Sequence, residues 1–137
     1  MNINNYLQTG TSVNVTADAG TGKTWFIISK ILRMLLDGIS PDKITAITFT
    51  KKASVEMRER LNSKMELWAK LTDKEIKKEL NDIGINKKIN FYTKQAKNLF
   101  IQTQIDNKEM RIATFDAFFM DILSQFHFDR DILKKIE

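Results

Sequence analysis

One stretch constrains this chain more than any other: Ala17-Asp18-Ala19-Gly20-Thr21-Gly22-Lys23-Thr24. It follows the β-prone run Ser12-Val13-Asn14-Val15-Thr16 and opens an apolar segment with helical spacing. A strand, a tight glycine loop ending in Gly-Lys-Thr, and a helix together make a phosphate-binding loop. Gly20 and Gly22 reach backbone angles closed to other residues, so successive N–H groups can point inward at an anion. The helix N-terminus adds its unpaired donors and the positive end of its dipole. Lys23 then reaches the β- and γ-phosphates, and the Thr24 hydroxyl is the expected magnesium ligand. These two are the candidate catalytic residues, and residues 17–24 as a whole are the candidate nucleotide contacts. The strict pattern begins with glycine, where this chain has Ala17. A chance glycine turn would leave the flanking strand and helix signals without a reason.

The rest of the composition narrows the partners. With 137 residues the chain suits one domain with a modest core. It has no cysteine, so neither a disulfide framework nor thiol chemistry is available, and the lone His127 cannot anchor a zinc cluster by itself. No signal-peptide pattern opens it, and no apolar run approaches the roughly 20 residues that cross a bilayer. A cytoplasmic protein without a membrane partner is the expectation. The net charge of +5 and a sequence pI near 9.4 suit a polyanionic partner, although lysine-rich composition alone gives the same balance.

Hydrophobic periodicity predicts a helix over 24–37, with Ile28, Ile31, Leu32 and Leu35 on one face. Trp25, Phe26, Ile27, Met34 and Leu36 broaden that face enough to suggest burial against a sheet. Gly38 is the expected C-cap, and Pro41 falls in the following turn. Residues 43–49 read as a buried strand, so 12–49 has the length of a strand–helix–strand crossover in a parallel sheet. A helix over 51–69 carries Ala53, Met57, Leu61 and Met65 on one stripe. Two further helices are expected at 73–82 and 90–105, with Gly84 closing the first. Residues 70–110 hold nine lysines against six acids and no strand signal, so they read as a helical insertion leaving the sheet. Residues 111–114 read as a short strand. A helix over 115–126 gathers Phe115, Phe118, Phe119, Ile122, Leu123 and Phe126, of which Phe119, Ile122 and Phe126 are expected in the core.

A second segment with chemistry is Thr48-Phe49-Thr50-Lys51-Lys52-Ala53, followed by Glu56-Met57-Arg58-Glu59-Arg60. It lies at the C-terminal end of a strand, the edge where open α/β sheets place ligands. Thr50 can cap the next helix, whose free donors can hold a phosphate. Phe49 either offers a ring to a base or packs into the core. Lys51 and Lys52 either meet backbone phosphates or belong to a solvated helix face with i,i+4 pairs.

Taken together with Ile112-Ala113-Thr114-Phe115-Asp116-Ala117-Phe118-Phe119, these segments resemble the first three motifs of superfamily 1 helicases of the UvrD/Rep-like type. The branch resembled is that of the AddA and RecB helicase–nuclease proteins, which process double-strand DNA ends. The text from Thr72-Asp73-Lys74-Glu75-Ile76 to Asn81-Asp82-Ile83-Gly84-Ile85 is similar to the helical 1B insertion of that branch. The resemblance covers nearly the whole chain, in order. It implies an α/β fold: an incomplete RecA-like P-loop NTPase domain, a parallel sheet with helices on its faces, carrying a 1B-type helical insertion. The implied organisation is 1–69 as the first part of domain 1A, 70–110 as the insertion, and 111–137 as the return to domain 1A.

By the same resemblance, residues 17–24 hold ATP and Thr24 holds magnesium; the glutamine and aromatic elements with which the family holds adenine are absent, and Gln8, upstream of the loop, is the candidate contact to adenine that this chain offers. Single-stranded DNA is expected on Thr48, Phe49, Thr50 and Lys51, and on Thr114, Phe115, Asp116 and Phe118. Family members usually carry Ser where this chain has Asp18, and His where it has Asp116. Asp18 sets a negative charge beside the triphosphate position, and Asp116 repels a phosphate or stabilises its own helix N-terminus.

The family also uses a strand-end Asp-Glu pair for magnesium and for activating water, and a second RecA-like domain that closes over nucleotide. No Asp-Glu dipeptide occurs in this sequence, and 137 residues cannot supply two such domains. Three readings follow. The first is the N-terminal part of an ATP-dependent 3′-to-5′ DNA helicase of break repair and recombination, inactive as a motor alone. Its expected partners are single-stranded DNA or DNA ends, the remainder of the helicase as a separate chain, and a nuclease subunit. It would be an excised piece, a split gene product or a remnant. The second is a small non-enzymatic nucleic-acid-binding or regulatory module built from a helicase front end. The third, a small nucleotide kinase, leaves the Thr-Phe-Thr-Lys-Lys-Ala and Thr-Phe-Asp-Ala-Phe segments unexplained.

Overall fold

Helix capping sets most of the boundaries in the computed structural model, which describes residues 3–16, 18 and 22–126. The first α-helix, α1, runs Lys23–Leu36 after a 3-10 helix at Ile3–Leu7. Gly38 N–H bonds to Leu35 O and Ile39 N–H to Met34 O, both at 3.0 Å, the paired bonds that end a helix at a glycine. Pro41 opens a short 3-10 turn, and strand β1 follows at Thr45–Thr48. Thr50 starts α2, Lys51–Lys70, by accepting a bond from Ala53 N–H at 3.1 Å.

Thr72 and Glu75 form a reciprocal capping box at the start of α3, Asp73–Asp82. The chain then turns at Gly84 (φ +80°), where an added Cβ would sit 2.6 Å from Asn4 Cβ, so only glycine fits. Helix α4, Ile89–Ile105, leads back to strand β2, Arg111–Thr114, and α5, Phe115–Gln125. The expected elements at 73–82 and 111–114 form as read, and the neighbouring boundaries move by only a residue or two.

Strands β1 and β2 pair in parallel with Thr45 opposite Arg111 and Thr48 opposite Thr114. The whole of α2, α3 and α4 forms the crossover between them. One hydrophobic core runs through both the sheet side and the helical excursion. Leu61, Met65 and Trp68 of α2 meet Ile76 and Leu80 of α3, Leu99 of α4, and Leu32 and Leu35 of α1. Among the described residues no helix is long and apolar enough to cross a membrane.

Three expectations need correction. The run 12–16 joins no ladder, and the sheet of the described residues has two strands only. Val13 and Val15 instead line one side of a cavity of about 410 Å³ whose other side is Thr45, Ala46 and Ile47 of β1. A ladder needs its partner about 4.8 Å away, and here the gap holds the two segments apart. The apolar face of α1 is also narrower than expected. Phe26, Ile28, Ile31 and Leu32 are buried, while Trp25 and Ile27 remain exposed, because α1 packs on helices along one side rather than beneath a broad sheet. Finally, no residue of α5 is fully buried. Phe119 and Phe126 are exposed and Ile122 half-buried, since the described residues cover α5 only along its side toward the strands.

Candidate nucleotide and nucleic-acid site

At the head of α1, Gly22 sits at φ +92°, ψ 9°, the left-handed conformation that a phosphate-binding glycine needs. Gly22, the N-cap residue, makes no side-chain cap bond, and no acidic residue lies in the first turn of α1. The first helical donors therefore retain the polarity that attracts an anion. Lys23, half-buried, is the first helical residue, and Thr24 is exposed beside it. Asp18 is exposed and outside regular structure. Ala17, Ala19, Gly20 and Thr21 lie outside the described residues. Within the described part, the residues that would meet a magnesium-bound triphosphate are a left-handed glycine, a cation and a hydroxyl in succession at the helix start: Gly22, Lys23 and Thr24.

Gln8 is exposed in the turn after the first 3-10 helix. That turn is held by a residue the sequence reading missed, Lys30. Its ammonium donates to Tyr6 O, Gln8 O and Thr11 Oγ1, each at 3.0 Å. Burial pushes the Lys30 pKa down, and the neighbouring Arg33 guanidinium adds to that. Asp37, also missed, accepts from Thr9 Oγ1 at 2.5 Å and from the Tyr92 hydroxyl at 2.7 Å. A lysine seven residues after Lys23, inside an otherwise apolar helix stripe, was the available signal for the first of these.

The second candidate cluster is assembled by strand register. Because Thr48 pairs with Thr114, the residues that follow each strand emerge together at the C-terminal edge of the sheet. Phe49 is fully exposed and Phe115 is 56% exposed, so neither ring serves the core. The core alternative for Phe49 is thereby excluded. Phe115 stacks on Phe119 with centroids 6.0 Å apart and planes at 22°. Thr50 and Thr114 cap α2 and α5 in the same manner, Thr114 Oγ1 accepting from Ala117 N–H at 3.2 Å. Two capped helix N-termini thus open toward one edge.

Thr48 is occupied internally. Its hydroxyl lies 2.5 Å from Ser54 Oγ and donates to Thr50 O at 3.0 Å, fixing the strand-to-helix corner. Lys51 and Lys52 are exposed on the first turn of α2. Arg58 donates to Ile112 O at 3.3 Å, so this residue ties α2 to β2. Asp116 is exposed in the first turn of α5, where its charge favours the helix dipole. Phe118 is half-buried beneath the Arg111 guanidinium, 6.0 Å from its centroid, while Arg111 also pairs with Asp121 at 2.8 Å. Phe118 is thus the least available of the proposed ring contacts.

The family described as the UvrD/REP helicase N-terminal domain matches residues 3–137. The chain is 30% identical over 131 residues to an ATP-dependent helicase/nuclease subunit from Lactobacillus johnsonii, covering 95% of this chain and 9% of that protein. It is 33% identical over 117 residues to the protein of the same description from Streptococcus mutans, covering 85% of this chain and 8% of that protein. With the Levilactobacillus brevis protein the identity is 30% over 125 residues, covering 91% and 8%. The chain therefore spans less than a tenth of the length of these relatives. No solved structure matches it. A left-handed glycine start before Lys23, a parallel β1–β2 pair with exposed rings at its edge, and agreement along 3–137 converge: the chain belongs to the UvrD/Rep helicase N-terminal domain family.

Proposed function

We propose that this chain serves as the nucleotide- and DNA-gripping front of an ATP-dependent 3′-to-5′ DNA helicase acting on DNA ends in break repair and recombination. The observation that carries the reading is the common edge of β1 and β2, where exposed Phe49 and Phe115 flank two threonine-capped helix starts. Such an edge suits a single strand. Rings stack on bases without regard to sequence, and helix N-termini with Lys51 and Lys52 accept the backbone phosphates. Thr48 acts by holding the corner, and Thr50 and Thr114 by orienting the helix starts. Phe118 and Asp116 lie at the margin of the contact.

Residues 17–24 hold ATP, with Lys23 on its terminal phosphates and Thr24 on magnesium, and Gln8 reads adenine. Bound magnesium-ATP supplies the phosphoryl-transfer chemistry. This chain contributes the cradle and the charge of Lys23. It has no Asp-Glu pair to activate water, so turnover and movement require groups from outside these residues. The relatives' description as a helicase/nuclease component supports a nuclease partner and a helicase remainder as the sources. We assign 1–69 and 111–137 to domain 1A, 70–110 to a 1B-like insertion, and the whole to the cytoplasm.

Lack of the Asp-Glu pair also favours a second reading, a binding module without turnover. Fluorescence anisotropy with a labelled single strand, across salt concentrations, tests the shared core of both. Affinity should fall with salt and drop about fivefold or more in Phe49→Ala, as expected for losing one stacked base. Binding insensitive to both Phe49→Ala and Phe115→Ala would remove the strand-edge assignment. Steady-state ATP hydrolysis stimulated by single-stranded DNA and lost in Lys23→Ala would overturn the claim that the chain alone does not turn over.

A further inference from the structure

Strand β1 has the chemistry of an interior strand and a neighbour on one side only. Arg111 N–H donates to Ile44 O at 3.1 Å, and Thr45 lies opposite Arg111 in the parallel register. Backbone groups alternate sides along a strand, so Ala46 and Thr48 face β2, while the N–H and C=O of Thr45 and Ile47 face the other edge. That edge has no ladder partner among the described residues. Folded proteins commonly blunt such an edge with lysine or proline. Thr45-Ala46-Ile47-Thr48 carries neither.

A second strand-like wall stands across from this edge. Val13 and Val15 belong to the run 12–16, which joins no ladder, and a cavity of about 410 Å³ lies between them and β1. Ile27 and Ile31 of α1 and Met57 of α2 complete its apolar lining. Val15 and Ile27 are each 42% exposed there and Ile47 46%, apolar surface that one occupant would take from water. The free edge decides what that occupant is. A helix bonds its own backbone groups, and a small apolar molecule offers none, so either would cover Thr45 and Ile47 without pairing them. An extended chain about 4.8 Å from β1 pairs both. Charge narrows the choice further. Two charged residues line the cavity, Lys23 and Lys30, and no acid does, so acidic ends are attracted and lysines repelled.

We infer that this cavity is a docking slot for an extended segment of a partner polypeptide, apolar over the length of β1 and acidic at its ends, which adds a strand to the free edge of β1. The slot requires neither nucleotide nor DNA. Main-chain bonds to Thr45 and Ile47 hold the segment, and the apolar lining selects its side chains.

The test is fluorescence anisotropy of the full chain with three labelled, end-capped peptides. One is Asp-Val-Ile-Val-Thr-Val-Asp, the second has the same core between two lysines, and the third is the acidic peptide with proline at its centre. The acidic peptide should bind saturably. Proline removes a ladder donor and should weaken binding about tenfold. Lysine ends should weaken it about threefold or more at low salt. Val15→Lys and Ile47→Lys each set a charge in the slot and should cost about tenfold, with the fold checked by circular dichroism. Amide exchange reads the geometry directly. The acidic peptide should slow exchange at Thr45 and Ile47 and leave Ala46, already in the β1–β2 ladder, unchanged. Absence of saturable binding, binding that tolerates the proline, or unprotected Thr45 and Ile47 amides would each overturn strand addition. Equal binding of the lysine-ended peptide would overturn the acidic occupant. If the two amides instead gain protection as chain concentration rises, and the peptide does not compete, the occupant is a second copy and the partner assignment is wrong.

Discussion

Replacing Glu79 by alanine should unfasten α2 from α3, and the cost can be worked from its contacts. Trp68 is fully buried, and its indole Nε1–H donates to Glu79 Oε2 at 3.3 Å. The same carboxylate oxygen pairs with Lys64. Removing the carboxylate leaves the indole N–H without its acceptor, a penalty of about 1–3 kcal/mol. The partly exposed ion pair adds about 0.5 kcal/mol. A loss near ~2 kcal/mol is therefore expected. For 137 residues the unfolding entropy is about 0.29 kcal/mol/K, so the melting midpoint should fall by about 7 °C at neutral pH.

The pH dependence sharpens the test. Partial burial raises the Glu79 pKa, but the bonds from Lys64 and Trp68 outweigh it, and the net value is lowered. A carboxyl that titrates lower when folded contributes its stability above its unfolded pKa of about 4.3, and loses it as pH falls through the folded value. Circular-dichroism melts of parent and Glu79→Ala should differ fully above about pH 5, and the difference should narrow as pH falls through the folded-state value, leaving the share owed to the indole bond, which the protonated carboxyl still accepts. A neutral-pH difference under about 1 °C, or one that persists undiminished in acid, would refute this account of the α2–α3 junction.

Other outcomes follow from the same contacts. Thr50→Ala and Thr114→Ala each remove an N-cap bond and should cost about 1 kcal/mol by denaturant titration, with weakened single-strand binding in both. Gly84→Ala should destabilise more than either, because its Cβ would collide with Asn4 Cβ at a positive φ; chemical melts report it. The edge of β1 away from β2 carries no ladder partner among the described residues, and Ile47 is exposed beside it. Concentration-dependent association is expected in sedimentation velocity, reduced by Ile47→Lys.

The elements that local chemistry dictates were readable in the sequence. The helix at 73–82 and the short strand at 111–114 form as read, and Gly38 and Gly84 mark two helix ends. The family resemblance was readable because three motifs recur in order. What escaped depends on distant partners. Residues 12–16 have strand composition, yet sheet membership requires a neighbour, and β1 lies across a cavity from Val13 and Val15. The phenylalanines of α5 follow helical spacing, but spacing cannot say whether anything covers the far face. Lys30 and Asp37 carry no local sign of their partners. Their partners sit 19 to 24 residues away for Lys30 and as far as 55 for Asp37, and only folding brings them together.

Magnesium-ATP titration of the isolated chain, followed through Trp25, tests the central claim most directly. Trp25 is 44% exposed and adjoins Thr24, so its emission reports on the head of α1. The account predicts a saturable change that disappears in Lys23→Ala while the fold, checked by circular dichroism, is kept. A folded parent chain with no saturable response, or one whose response survives Lys23→Ala, would contradict it.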